Sequence, residues 1–273
     1  MVASRAGLQR PLWWAYQRAS AVKSLKSFPS HAPDGLPLPP PLLMIQVIGA
    51  ADWPHFIRGG EEQAGMLREM LARYGVDLGD LDAILDFGCG CGRIARHWAR
   101  LSGPRIHGSD YNPTLVAWCQ QNLPFMEAAR NQLAPPLTYE DAQFDFVYSA
   151  SVFTHLPEPL QHAWIRELHR VIKPGGYLWF TTAGEKAAER DLTRFDRRRW
   201  WPAFQAGELV VTEQTMAGTN LCNAYHPRSW TETHLLGPGF TLVQFEPGES
   251  ELHGYQDSYL VRRSEGEPPK RPT

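Results

Sequence analysis

The sequence predicts an α/β chain built on a doubly wound, mainly parallel sheet of seven strands. An antiparallel terminal hairpin, an N-terminal helical cap and an insertion after the fifth strand complete the expected architecture. Three observations carry this expectation. Short apolar runs of strand length alternate with amphipathic helical stretches, a pattern that covers both faces of a parallel sheet with helices. Three glycines at alternate positions, Gly88, Gly90 and Gly92, stand between a strand-like run and a helical one. The last two apolar runs, Phe240 to Phe245 and Ser258 to Val261, have no helix between them and suit an antiparallel pair at the sheet edge.

Each element has its own signal. Glu61 to Tyr74 places Ala64, Leu67, Leu71 and Tyr74 on one helical face, and Gly75 supplies the stop. Ala83 to Phe87 is a short apolar run fit for a buried parallel strand. Arg93 to Leu101 is helical in pattern and is closed by Gly103 and Pro104. Arg105 to Ser109 reads as the second strand, and Pro113 opens a helix at the one turn where proline is tolerated. Phe125 to Ala128 is the third strand and Phe144 to Ser149 the fourth. Pro159 to Ile172 is an amphipathic helix using Leu160, Trp164, Leu168 and Val171. Lys173-Pro174-Gly175-Gly176 reads as a turn into a fifth strand, Tyr177 to Thr182. The expected organisation is an extension over 1–41, a core with its cap over 42–183, an insertion over 184–238, the hairpin over 239–263 and a disordered tail over 264–273.

Composition narrows the function classes. A chain of 273 residues buries about three quarters of its unfolded surface, enough for a full core without staples. With 27 basic and 29 acidic side chains it lacks the positive footprint of a dedicated nucleic-acid binder. Cys89, Cys91, Cys119 and Cys222 are too few and too unevenly placed for a disulfide framework. Two cysteines at Cys89 and Cys91 supply too few ligands for a tetrahedral metal site. There is no apolar run of transmembrane length and no clean signal-peptide block, so the expectation is a soluble, reduced, cytoplasmic protein. The first 33 residues hold Arg5, Arg10, Arg18, Lys23 and Lys26 with Trp13 and Trp14 and no acid. Such a segment either lies on an anionic membrane surface or packs on the main domain with a solvated basic face.

The glycine loop carries the functional reading. In Ile84-Leu85-Asp86-Phe87-Gly88-Cys89-Gly90-Cys91-Gly92-Arg93 the glycines let a ligand approach the backbone where a Cβ would collide. Asp110 ends the next strand, where a carboxylate can accept hydrogen bonds from both hydroxyls of a ribose. Strand, loop, helix, strand and acid in register point to a nucleoside-containing cofactor. A dinucleotide fingerprint wants its third glycine one residue later, where Arg93 stands. The acid before the loop, Asp86, suits a cationic amine or sulfonium and opposes a pyrophosphate by Coulomb sign.

This pattern resembles motif I of the class I S-adenosylmethionine-dependent methyltransferases, whose fold is Rossmann-like. Ser109-Asp110-Tyr111-Asn112 is similar to the family's ribose motif, Phe144 to Ser149 to its fourth strand, and Leu168 through Tyr177 to the turn into its fifth. The resemblance implies S-adenosylmethionine as methyl donor, with S-adenosylhomocysteine as product. It implies that the loop with Gly88, Cys89, Gly90, Gly92 and Arg93 faces the methionine part, and that Asp86 organises the loop and the amino group. Asp110 would bind the ribose, Tyr111 would lie beside the adenine, and Asn131 (or Glu127) would meet the adenine N6. Ser149 and Ala150 would floor the site near the transferred methyl. The stretch Gly49 to Gly60 is similar to a cap in some of these enzymes, with Arg58 reaching the cofactor carboxylate, or else Trp53 and Phe56 merely pack the domain edge.

The acceptor is less legible. Methyl transfer to oxygen or nitrogen often uses a base, and the candidate bases are His155, after the fourth strand, and His226, in the insertion. Phe153, Asn223 and Tyr225 are candidate acceptor contacts. The insertion has the length of a lid or binding loop, and Arg194, Arg197, Arg198 and Arg199 either bind an anionic acceptor or form a solvated face. The leading expectation is a methyltransferase acting on a small-molecule or glycan acceptor and not on nucleic acid. A protein methyltransferase and a non-catalytic scaffold that binds S-adenosylmethionine are the alternatives, with a dehydrogenase disfavoured by the glycine spacing.

Overall fold

The computed structural model of the chain describes residues 15, 17–19, 21–22, 28–249 and 254–264. Arg5, Arg10, Trp13, Trp14, Lys23 and Lys26, and the tail over 265–273, lie outside the described residues. Among the described residues, the helices α1 (Pro41–Ile48) and α2 (Trp53–Ala72) lead into the sheet. The second begins earlier than the apolar periodicity indicates. Asp52 caps it by accepting from His55 N at 3.0 Å, and Pro54 occupies its first turn. The cap stretch containing Trp53, Phe56 and Arg58 is therefore helical.

The central strands are β1 (Ala83–Phe87), β2 (Arg105–Asp110), β3 (Met126–Arg130), β4 (Phe144–Ser149) and β5 (Ile172–Ala183). They pair in parallel in the order β3-β2-β1-β4-β5. The hairpin of β8 (Phe240–Glu246) and β9 (Gln256–Arg263) adds antiparallel to the far edge of β5. This gives the seven expected strands. Two short strands from the insertion, β6 (Val210–Thr212) and β7 (Asn223–Tyr225), extend the sheet further. β4 ends opposite Phe180, and β7 takes over that edge with Ala183 against Tyr225.

Side-chain alternation divides the core. Ile84, Phe146 and Tyr148 face α2 and α3 (Pro113–Asn122), whose Leu67, Leu71, Leu115 and Trp118 complete one cluster. Ala83, Leu85, Phe87 and Val147 face α4 (Glu158–Val171) through Trp164, Ile165 and Leu168. Two expectations are corrected. The segment after the glycine loop is a short 3₁₀ turn, Ala95–Trp98, because Gly92 adopts φ +71 and Gly103 and Pro104 follow too soon for an α-helix to propagate. The turn Lys173 to Gly176 is absorbed into β5 as a bulge, since Ile172 pairs with Phe144 and Tyr177 with Phe146. Lys173 Nζ fixes that bulge to Asp82 (2.6 Å) and Asp145 (2.7 Å).

The Pro-rich stretch from Pro29 to Pro41 packs on the domain. Arg96, whose side chain is fully buried, donates to both oxygens of Asp34 at 2.7 and 3.0 Å and to the Leu36 and Pro37 carbonyls. Ala32 and Leu38 are buried beside it. No helix among the described residues is long and apolar enough to cross a membrane.

Candidate active site

The sheet order reverses between β1 and β4, and a cleft of about 240 Å³ opens at their carboxyl ends. Its floor is the glycine loop. Gly88 N and Cys89 N both donate to Ser109 O, at 2.7 and 3.1 Å, which locks the loop to the end of β2. Gly88 has φ +80, and a Cβ there would sit 2.2 Å from Val152 Cγ2. Gly90 has φ +55, and its Cβ would come within 2.8 Å of Val47 Cγ2. Both positions need glycine for conformation and for space. Gly92 lies behind the loop against Leu123 and does not line the cleft.

Two buried carboxylates face the cleft from adjacent strand ends. Asp110 accepts from Gly90 N at 2.9 Å through Oδ2 and from Asn112 N at 2.8 Å through Oδ1, so it holds both the loop and the start of α3. Burial raises its pKa, and the two backbone N–H groups oppose that rise. Each oxygen keeps lone-pair capacity for a further donor. Burial raises the Asp86 pKa to about 7, and the nearby Asp110 adds to the rise. A hydrogen bond from Tyr148 and the charge of Arg93 oppose it. Tyr148 in turn accepts from Trp98 Nε1 at 3.0 Å. Arg93 lines the cleft beside Asp86 and donates to Gln63 on α2. Asn131, at the end of β3, accepts from Ser109 Oγ at 2.7 Å and donates to the Gln132 carbonyl at 2.6 Å.

The insertion supplies the roof. Its segment between β6 and β7 crosses the cleft and contributes Met216, Gly218, Thr219, Asn220 and Leu221. Four hydrogen bonds tie it down. Gly218 N donates to the His155 carbonyl at 2.8 Å, Tyr111 Oη to the Gly218 carbonyl, and Asn220 Nδ2 to the Gln46 carbonyl at 3.2 Å. His155 Nδ1 donates to the Cys222 carbonyl at 2.7 Å. A carbonyl only accepts, so this contact puts the proton on Nδ1 and leaves Nε2 unprotonated in the neutral ring. Burial lowers the His155 pKa, which keeps the ring neutral near pH 7.

Of the residues singled out from the sequence, Asp86, Gly88, Cys89, Gly90, Arg93, Asp110, Tyr111, Asn131, Ala150 and His155 converge on the cleft. The others lie elsewhere. The Arg58 side chain is 65% exposed and pairs with Glu62 at 4.0 Å on the outer face of α2. Ser149 is fully buried and off the cleft, as is Phe153, which packs on Phe180 at 5.2 Å. His226 is fully buried with Nε2 on Gln161 Oε1 at 2.9 Å, and burial pushes its pKa down to about 3. Tyr225 is buried in the insertion's own core, with its hydroxyl on Asp191 and Arg197. Asn223 turns its amide to the Leu221 carbonyl. Sequence reasoning missed Gln46, which accepts from Asn112 Nδ2 at 3.0 Å, and Gln17, Leu133 and Trp164. A glutamine carries no local signal for such a role. Trp164 reads from the sequence only as part of an amphipathic helix face, and its Nε1 donates to the Leu133 carbonyl at 3.0 Å.

Among the described residues no cluster of three or more His, Cys, Asp or Glu side chains is placed to hold a metal, and the four cysteines are free thiols.

Residues 85–180 match a family model described as a methyltransferase domain. Malonyl-[acyl-carrier protein] O-methyltransferase of Enterobacter lignolyticus is 32% identical over 137 residues, covering 47% of this chain and 49% of that protein. Ubiquinone biosynthesis O-methyltransferase of Pseudomonas syringae pv. tomato is 33% identical over 105 residues, covering 36% of this chain and 43% of that protein. The chain thus spans about half the length of these relatives, or less. Among solved structures, magnesium protoporphyrin IX methyltransferase of Synechocystis PCC 6803 with bound SAH superposes with a TM-score of 0.53. It is 20% identical and covers 77% of this chain and 86% of its own, so the likeness is one of fold.

Proposed function

From the premise that residues 85–180 belong to the class I S-adenosylmethionine-dependent methyltransferases, we propose that this chain methylates an oxygen or nitrogen of a small-molecule or saccharide acceptor. The observation that carries the reading is the pair of carboxylates, Asp86 and Asp110, set at adjacent strand ends around a glycine loop with no Cβ in the way. That arrangement fits S-adenosylmethionine, which presents a cationic ammonium on its amino acid end and a diol on its ribose. When bound, the cofactor supplies an electrophilic methyl group on a sulfonium. The O-methyltransferase names of the two relatives support oxygen as the acceptor atom.

The residues of the chain divide the remaining work. Asp110, held by the Gly90 and Asn112 N–H groups, is fixed in place to accept from ribose hydroxyls. Asp86 offers negative charge to an ammonium, and Arg93, tethered by Gln63, offers positive charge to a carboxylate. Leu115, Leu133 and Asn131 line the side of the cleft suited to a flat heterocycle. The roof over Met216 to Leu221 excludes water and brings the acceptor beside His155. His155 Nε2, unprotonated because Nδ1 is engaged by Cys222, takes the proton from the acceptor hydroxyl or amine. His226, locked to Gln161 away from the cleft, has no part in this chemistry.

Calorimetric titration with S-adenosylmethionine, S-adenosylhomocysteine and NADH tests the cofactor. Binding of the two adenosyl ligands alone is expected, and selective NADH binding refutes the reading. Transfer of labelled methyl from S-adenosylmethionine to a panel of phenolic, carboxylic and saccharide acceptors tests the activity. Cofactor binding with no acceptor labelled across the panel would favour a scaffold.

A further inference from the structure

Between α5 (Glu185–Leu192) and α6 (Trp201–Gln205) the chain reads Thr193-Arg194-Phe195-Asp196-Arg197-Arg198-Arg199-Trp200. Four arginines and two aromatic rings share eight residues with one acid, and Trp201 follows at once. We propose that this loop docks the protein on an anionic lipid bilayer, with Phe195 as the inserted wedge and Arg194, Arg198 and Arg199 bound to lipid phosphates. The proposal is independent of the methyltransferase reading.

The base of the loop is held firmly. Leu192 and Phe204 are buried, and Trp201 stacks on Phe204 at 5.8 Å. Arg197 donates to Tyr225 Oη at 2.9 Å, and that hydroxyl donates to Asp191 at 3.2 Å. Two turns, Arg197 N to Arg194 O and Trp200 N to Arg197 O, shape the tip. What the base presents is unusual for a protein surface in water. Phe195 is 99% exposed, beyond Val22 at 66% and every other large hydrophobic side chain among the described residues. Leaving a whole phenyl ring in water forgoes the burial that stabilises nearly every other aromatic side chain in this fold.

The flanking charges select the occupant. Arg194, Arg198 and Arg199 are exposed, and none of them forms an ion pair among the described residues. Arg199 lies over the Trp200 ring at 4.0 Å, which leaves its N–H edges free to reach phosphate oxygens. A ring that keeps 99% of its surface has no neighbour to form a pocket wall, so the loop is not a subsite for a small anion. A bilayer interface satisfies every group at once: the phenyl ring enters the acyl boundary, indoles rest at headgroup level, and guanidinium groups meet phosphates.

Co-sedimentation of the full chain with vesicles of phosphatidylserine and phosphatidylcholine, against phosphatidylcholine alone, is the test. Binding only to the anionic vesicles, weakening with added salt, is expected. Phe195→Ser should lower partitioning by about 10-fold. Arg194→Gln and Arg198→Gln should each lower it by about 5-fold. All three side chains are exposed, so thermal unfolding should match the parent and confirm that the variants are folded. No vesicle binding, equal binding to neutral vesicles, or binding unchanged in the variants would overturn the proposal. The last result would assign the contact to the basic residues of the first 33. Loss of single-stranded RNA binding in the same variants, without vesicle binding by the parent, would also overturn it.

Discussion

Replacing Asp110 by asparagine tests the central geometry of the cleft. The two carboxylate oxygens each accept one backbone N–H, from Gly90 at 2.9 Å and from Asn112 at 2.8 Å. Asparagine has one acceptor oxygen, so whichever way the amide turns, one N–H loses its partner and faces an NH₂ group. Losing a hydrogen bond to a charged acceptor in a buried site costs about 1.5–3 kcal/mol. In a domain of this size that lowers the melting temperature by about 2–4 °C per kcal/mol. The same substitution removes one acceptor for the ribose diol, so affinity for S-adenosylhomocysteine should fall roughly 10- to 100-fold. The assay is calorimetry with S-adenosylhomocysteine and its 2′-deoxyribosyl analogue, beside thermal unfolding of the same samples. The parent should prefer the ribosyl ligand by about tenfold, the scale of one such bond, and Asp110→Asn should lose most of that preference. A folded variant that still discriminates as the parent does would refute the ribose assignment and leave Asp110 as a loop brace alone.

Asp86 makes a pH prediction. Its folded pKa of about 7 lies above the unfolded value of 3.8, so the native state binds the extra proton and loses stability as pH rises from about 4 to 7. The loss is about 4 kcal/mol at most, and urea unfolding of Asp86→Asn against the parent across that window should show the difference vanish below pH 4. Ligand binding at pH 6 should release a proton, read from calorimetry in buffers of different ionisation enthalpy. His155→Ala should cut turnover by about 10²- to 10⁴-fold while sparing cofactor affinity. Because burial lowers its pKa, the parent's rate should fall only at pH values below the range of an ordinary histidine. Equal losses of turnover and cofactor affinity would remove it from the base role. Arg96→Leu breaks a fully buried guanidinium from a carboxylate that is 26% exposed, so the cost should reach about 2–3 kcal/mol, under the full buried-pair value. Limited proteolysis should then cut the Pro-rich stretch between residues 28 and 40.

The sequence alone determined the order of the central strands, the glycine loop and the acid at the end of the next strand. Each of these is a local constraint. A short apolar run marks a buried strand, glycine permits the backbone of Gly88 and Gly90, and a carboxylate at the end of the next strand lies beside them in the parallel pairing. Tertiary structure decided which distant groups share the cleft. Arg58 and Arg93 were equal candidates by residue type, yet the helical face of α2 turns Arg58 to solvent, while Arg93 is carried inward by the loop. His155 and His226 both follow strands, but the pairing of β7 with the end of β5 buries His226 against Gln161 and lays residues 216–221 over His155. The backbone carbonyls of Gln46, His155, Gly218 and Cys222 accept the bonds that hold that roof, and every residue possesses such a carbonyl. Such contacts leave no mark in composition or spacing. The cofactor end was therefore legible because it is built from neighbours in sequence and register, and the acceptor end was not, because long-range packing assembles it.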